Sequence, residues 1–363
     1  MVKYSLLYNK NKNFVRFWRD YMKKLRIGII GFGKSANRYH LPYILNKEKF
    51  EVVKIFSRTE KKELEEKYKE YGVKFVRDVN ELLNDNTIDL VTVCTHVDSH
   101  YEYAKLALNH NKNVLIEKPF TRTSKECKEL YEIAREKNLL IMPYQNRRYD
   151  SDFLALKSVI ESNVLGDLVE LESHFDYYRK DLVKVDGSPY DGAFYGLGVH
   201  TIDQIVSIFG KPDKVTYDIR SIRVKGNPDD YYEVCMFYDN FKAIVKTNHL
   251  VKMEYPKFIL HGFNGSFIKY GIDKQEECLK ANIMPWDKEF KSDIKENHGK
   301  LNYIDNEGND ITKVIETPKG DYSEIYNAMY DAIINNKELP VKEEEVLEVM
   351  NILNNGIKEC YKI

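Results

Sequence analysis

A glycine-rich turn set between an apolar run and a helix-forming segment fixes the kind of fold open to this sequence. Leu25-Arg-Ile-Gly-Ile-Ile30 reads as a strand, Gly31-Phe-Gly-Lys-Ser-Ala36 follows as GxGxxA, and helix-like residues continue to about Leu45. Gly31 permits a tight turn, Gly33 lets the backbone approach a pyrophosphate, and Ala36 lets the helix pack closely on the strand. The helix start then offers unpaired N–H groups to phosphate oxygens. The bare pattern is weak, but it stands here in the strand–turn–helix context the chemistry needs. Phe32, Lys34 and Ser35 share the turn and join Gly31 and Gly33 as nucleotide-contacting candidates. A glycine turn that binds no phosphate is the alternative.

More βα units follow. Strand-like runs lie at 52–56, 88–94, 114–116 and 139–142, with helix-like segments between them. That rhythm predicts an α/β fold with a doubly wound parallel sheet of the Rossmann type over residues 25–148. From residue 149 the pattern changes. Val169, Leu171, Ser173, Phe175 and Tyr177 alternate with polar neighbours, and strand-like runs recur at 215–224, 232–238, 243–251 and 257–260. Asp239-Asn240 and Asn264-Gly265 read as hairpin turns. A C-terminal α+β domain with a mainly antiparallel sheet is expected over 149–363, closed by amphipathic helices at 322–335 and 343–358.

With 363 residues the chain has length for two such cores. Its 56 basic and 57 acidic residues nearly cancel, so no global field recruits nucleic acid or a membrane surface. The five cysteines form no CxxC pair and no metal-ligand spacing, which predicts no metal site and reduced thiols in the cytoplasm. Residues 1–24 set seven basic residues against Asp20 alone, without the apolar stretch of a secretory signal. A poorly ordered extension is expected there, with a basic docking arm the alternative and Met22 a second candidate start.

Ser57-Arg58 ends the second strand, where an NAD site usually places an acid for the ribose hydroxyls. A small polar residue and an arginine suit a 2′-phosphate instead, so NADP is expected, with NAD the alternative. Lys61 and Lys62 add positive charge, or form a solvated helix face. Cys94-Thr-His-Val-Asp-Ser-His100 sits at a strand's carboxyl end, making Thr95, His96 and His100 candidate cofactor-pocket residues. Asp98 or Ser99 would equally cap the next helix. Glu117-Lys118-Pro119 ends the fifth strand. Proline pushes the preceding residue out of helical geometry, which can aim Lys118 into the crevice. A lysine whose pKa is lowered by burial and nearby positive charge can move a proton at a carbinol oxygen. An exposed strand-end lysine is the alternative. His200 and Asp203 stand three apart on an apolar helix, either as a proton-handling pair or as a surface pair. Of Arg147 and Arg148, one is expected to clamp cofactor or substrate, and Arg147 is favoured. Tyr178 is among several tyrosines suited to a polyol pocket or a subunit interface.

The early glycine turn paired with Glu-Lys-Pro roughly 85 residues later resembles the Gfo/Idh/MocA oxidoreductase family. The blocks 145–150, 192–204 and 265–273 resemble its bacterial NADP-preferring, scyllo-inositol dehydrogenase-like members. The resemblance implies hydride transfer between NADP(H) and a sugar, cyclitol or related carbonyl or alcohol. It implies Lys118 as catalytic lysine, Glu117 at the nicotinamide ribose and His200 at the reacting oxygen. It also implies an open-faced second sheet joining a homodimer or homotetramer. Many polyol-oxidising members carry Asp four residues before this His, where this chain has Gly196. A non-catalytic NAD(P)-binding sensor and an NAD-dependent glycosidase are the competing readings. Retention of Lys118 and His200 argues against the first, and Ser57-Arg58 against the second.

Overall fold

Strands buried on both faces read as unbroken apolar runs, and such runs joined by helices assemble as parallel sheets. The computed structural model describes residues 23–181, 187–290 and 293–361. Residues 1–22 of the basic segment, and with them the expectation placed there, lie outside the described residues. The first sheet comprises β1 (Leu25–Ile30), β2 (Phe50–Phe56), β3 (Lys74–Val76), β4 (Leu90–Val93), β5 (Asn113–Ile116) and β6 (Ile141–Pro143). All neighbours pair in parallel in the order β3-β2-β1-β4-β5-β6. The order reverses between β1 and β4, and their carboxyl ends open the crevice where such sheets bind ligands. β3 escapes the sequence pattern because it is a three-residue edge strand with one partner. β6 starts at Ile141 rather than 139, and β4 is shorter than the run at 88–94.

The second sheet holds β7 (Leu168–His174), β8 (Lys214–Arg220), β9 (Tyr231–Tyr238), β10 (Phe241–Asn248), β11 (Phe258–Gly262), β12 (Gly265–Lys269), β13 (Gly299–Ile304) and β14 (Asp310–Ile315). Its order is β14-β13-β12-β11-β7-β10-β9-β8. Every pair is antiparallel except β7 with β10. Asp239-Asn240 joins β9 to β10 as a two-residue turn. The β11–β12 turn is Phe263-Asn264, one position before the expected pair, because Gly265 already faces Gly262 in the ladder. Only glycine fits there: a Cβ on residue 265 would lie 2.1 Å from the Asn302 carbonyl. One face of this sheet packs Leu171, Val234, Met236, Val245, Phe258, Leu260 and Phe267 into the core. The other carries exposed Val314 and the ion pairs Lys242–Glu170 and Lys246–Glu233.

Two segments bring the sheets together at the crevice. The helix Val199–Phe209, preceded by a wide turn at Phe194–Gly198, packs on the long helix Glu343–Tyr361 and on β10. The helix Ser323–Asn335 returns to the first sheet, where Tyr326 and Tyr330 meet Phe50 edge-on. Gly356 sets the depth of the first contact, since a Cβ there would lie 2.7–2.8 Å from Phe194 and Tyr217 ring atoms. Gly356→Ala is expected to cost about 1–3 kcal/mol through overpacking, measured as a lower denaturant midpoint at unchanged m-value.

Candidate active site

The glycine turn sits in the crevice as its pattern requires. Gly31 has φ +103°, and a Cβ there would lie 2.8 Å from the Cys94 carbonyl. At Gly33 a Cβ would meet nothing within 4 Å, so the backbone is bare towards the cleft. Ala36 is fully buried against the sheet. The cleft, about 480 Å³, is lined by Gly31 to Ser35, Ser57 to Thr59, Lys61, Thr95 and His96, among others. Among the described residues Lys34, Arg58 and Lys61 line it and no carboxylate does. Lys61 donates to the Phe32 carbonyl at 2.5 Å, and Ser57 to Thr59 at 2.8 Å. An open glycine backbone with cations at the far end fits a dinucleotide.

At the carboxyl end of β5 lies a buried chain of polar groups. Glu117 Oε1 accepts from the Ser35 hydroxyl and lies 3.0 Å from His40 Nε2. His40 Nδ1 is 2.8 Å from the Tyr326 hydroxyl, itself 3.3 Å from Thr92 Oγ1. Glu117 Oε2 accepts the Lys118 backbone N–H at 2.9 Å. Burial works against this carboxylate's charge, but the His40 hydrogen bond and charge, then Lys118 and Ser35, outweigh it and hold the group at about 2. The Lys118–Pro119 peptide is cis. The Lys118 amine is directed at the Gly196 carbonyl, 3.5 Å away. Burial pushes its pKa below the ordinary lysine value, Arg147 pushes the same way, and Glu117 and Glu276 oppose.

Lys118 opens into a second cavity of about 260 Å³ with Tyr39, Asn146, Arg147, Tyr177, His200 and Glu276 in its walls. Ser35 and Thr95 line both spaces, so the cleft and cavity adjoin. His200 is buried with Nδ1 unpartnered among the described residues. Burial first, then the charges of Lys118, Arg147 and Lys257, drive it well below the usual histidine range, so the ring is neutral. Arg147 stacks on Phe175 at 4.8 Å and donates to Asp150 at 3.1 Å and Glu276 at 2.5 Å.

Two family descriptions divide the chain between them. "Oxidoreductase family, NAD-binding Rossmann fold" matches residues 25–145, and "Oxidoreductase family, C-terminal alpha/beta domain" matches 157–362. The chain belongs to the Gfo/Idh/MocA oxidoreductase family. It is 53% identical to the "Uncharacterized oxidoreductase YhhX" of Escherichia coli (strain K12), over 93% of this chain and 97% of that one. It is 34% identical to "scyllo-inositol 2-dehydrogenase (NADP(+)) IolW" of Bacillus subtilis (strain 168), over 92% and 93%. The crystal structure of yhhX superposes with a TM-score of 0.90, covering 92% of this chain and 96% of that one. An oxidoreductase structure from Bacillus cereus, 48% identical, gives 0.90 over 92% and 95%.

Within this Gfo/Idh/MocA chain the structure redistributes several sequence-selected residues. Gly31, Phe32, Gly33, Lys34, Ser35, Ser57, Arg58, Thr95 and His96 line the cleft, while Glu117, Lys118, Arg147 and His200 line the cavity. His100 lines neither. Its nitrogens bond the Pro119 carbonyl at 2.8 Å and the Thr95 carbonyl at 3.0 Å, so it fastens the two loops from behind. Asp203 does not partner His200. Three residues along a helix leave side chains about 60° apart, and Asp203 turns to a two-pronged bond with Arg148 at 2.7 and 2.8 Å. Arg148 is held further by Glu345 at 2.8 Å. Tyr178 is half exposed and pairs with Leu250 in an isolated bridge, facing a different hollow; its neighbour Tyr177 enters the cavity. Tyr39, Asn146 and Glu276 escaped the sequence reading. Tyr39 lies three residues beyond the glycine motif, but no local signal marks Glu276, 237 positions from the tyrosine it bonds. Asp203→Ala leaves Arg148 buried with one counter-ion fewer, and is expected to cost about 3 kcal/mol in denaturant unfolding while NADPH affinity holds.

Proposed function

We propose that the protein moves hydride between NADP(H) and a hydroxyl-bearing carbon of a sugar, cyclitol or related compound. The observation that carries this is the partly buried Lys118 amine in the wall of a polar cavity that adjoins the dinucleotide cleft. Gly31 to Ser35 cradle the pyrophosphate, Arg58 takes the 2′-phosphate, and Glu117 stands at the nicotinamide ribose. When bound, the nicotinamide supplies or accepts the hydride. Lys118 takes the hydroxyl proton in oxidation and returns it in reduction. Its pKa, lowered mainly by burial, makes loss of the proton easier than from an ordinary lysine. His200, neutral in its buried position, polarises the reacting oxygen by a hydrogen bond and not by charge. The cavity walls offer hydroxyl, amide, carboxylate and guanidinium groups, which suits a polyhydroxylated ring. The NADP(+)-dependent inositol dehydrogenase named among the relatives supports the same class.

At Gly196, where the family resemblance implies an Asp in many polyol-oxidising members, a Cβ meets nothing within 4 Å. We assign the half-exposed face of the second sheet to assembly of a homodimer or homotetramer. The five free thiols suit the cytoplasm. Among the described residues no helix is long and apolar enough to cross a membrane, and no group of side chains could hold a metal ion.

Lys118→Ala is expected to lower kcat/KM by about 10²–10⁴-fold with NADPH affinity nearly intact; unaltered turnover would refute the assignment. In the wild type, alcohol oxidation needs the free amine. Its rate therefore rises with pH through a limb below the usual lysine value of about 10.4, while carbonyl reduction falls over the same range. The alanine variant lacks that limb. Arg58→Ala is expected to weaken NADPH about tenfold, or about 1.4 kcal/mol, and to leave NADH nearly unchanged in fluorescence titrations.

A further inference from the structure

Two carboxylates line the reactive cavity, Glu117 and Glu276. Glu117 is the more buried of the two, with 8% of its side chain exposed against 22% for Glu276, and its oxygens serve Ser35, His40 and the Lys118 N–H. Glu276 differs. Its Oε1 accepts from the Tyr39 hydroxyl at 3.0 Å and from Lys280 at 2.6 Å, whereas Oε2 accepts from Arg147 at 2.5 Å. A carboxylate has about four acceptor positions, so Oε2 retains capacity for a further donor. Burial disfavours its charge, but Arg147, then Lys280 and Tyr39, hold it at about 2, so it is ionised wherever the protein works.

The backbone behind Glu276 is pinned. The neighbouring Gln275 takes the Tyr43 hydroxyl at 2.9 Å and the Tyr322 N–H at 3.1 Å, and its own N–H donates to Asp273 at 2.8 Å. Tyr43 and Tyr322 are buried. This carboxylate is therefore presented to the cavity from a fixed support, as discrimination by hydrogen bonding requires.

Arg147 gives the second half of the argument. A free guanidinium in a substrate cavity would be a two-pronged seat for a carboxylate. Here one terminal nitrogen serves Asp150, the other serves Glu276, and Nε is buried out of reach. The guanidinium cannot offer its fork to an incoming anion while Glu276 is in place.

We infer that Glu276 accepts a substrate hydroxyl and, by engaging Arg147, makes the cavity select neutral polyols over sugar acids. This rests on the hydride-transfer reading of the same cavity and adds the specificity element. A site built around a hydroxyl acceptor loses strongly when the acceptor's charge is removed. Glu276→Gln keeps the shape, removes the charge and weakens the hold on Arg147 to that of a neutral hydrogen bond.

The test titrates NADP⁺-loaded protein with scyllo-inositol, d-glucose and d-glucuronate, and follows turnover with the same three. The wild type is expected to favour the neutral compounds. In Glu276→Gln, KM for the favoured neutral compound should rise about tenfold or more, with kcat changed less. The ratio of glucuronate to neutral kcat/KM should also rise. NADPH affinity, measured alongside, should stay near the wild-type value, the loss of one Arg147 counter-ion should lower the melting temperature while the protein stays folded under assay conditions, and Glu276→Asp should recover part of the neutral-substrate KM. A wild-type preference for glucuronate overturns the inference alone and leaves hydride transfer standing. So does an equal change for neutral and acidic compounds, or a variant that merely melts earlier. If the wild type neither binds nor converts any of the three, the polyol reading and the inference fall together.

Discussion

An ionised carboxylate buried at the junction of two sheets is the constraint around which this molecule is arranged. Taking such a charge out of water costs several kcal/mol unless fixed donors surround it. Glu117 gathers those donors from separate parts of the chain: Ser35 from the glycine turn, His40 from the helix behind it, and the N–H of Lys118 from its own strand end. Satisfying one anion therefore fixes three elements. The lysine whose backbone is held this way has its side chain aimed at Gly196 on the far wall.

The two sheets divide the work. The first builds the nucleotide cleft from strand ends and turns, where backbone geometry decides what fits. The second supplies side chains: Tyr177 from beyond β7, His200 from the helix Val199–Phe209, and Glu276 from the short helix Gln275–Lys280. The parallel pairing of β7 with β10 brings the carboxyl ends of both strands to the same edge of the sheet. Arg147, at the join between them, is neutralised from both sides by Asp150 and Glu276.

What the sequence disclosed follows from how local each feature is. The glycine turn, the strand rhythm and Glu-Lys-Pro are short contiguous patterns, and the described structure has a strand, turn and helix start where they predict them. β3 was illegible because three edge residues, one exposed, one half-buried and one buried, are too short a run to show a period. β12 to β14 were missed as strands because residues 265–315 mix polar and apolar groups without clean alternation. At the site, a spacing of three on a helix suggested that His200 and Asp203 act together, but side-chain direction is settled by the nearest counter-ion, and Arg148 took the aspartate. Glu276 was invisible because its role depends on Tyr39 and Arg147, which only the folded chain brings near.

The helix Ser323–Asn335 carries a temporal consequence. Tyr326 from that helix hydrogen-bonds His40 behind the carboxyl end of β5 and approaches Thr92 of β4. A nascent polypeptide leaving the ribosome exposes every strand of the nucleotide-binding half long before this tyrosine has been translated. Until then the histidine lacks its backstop, so the growing chain can assemble a parallel sheet well ahead of a finished polar cavity. That contact forms only when the segment around Tyr326 has been translated and folds back on the segment around His40.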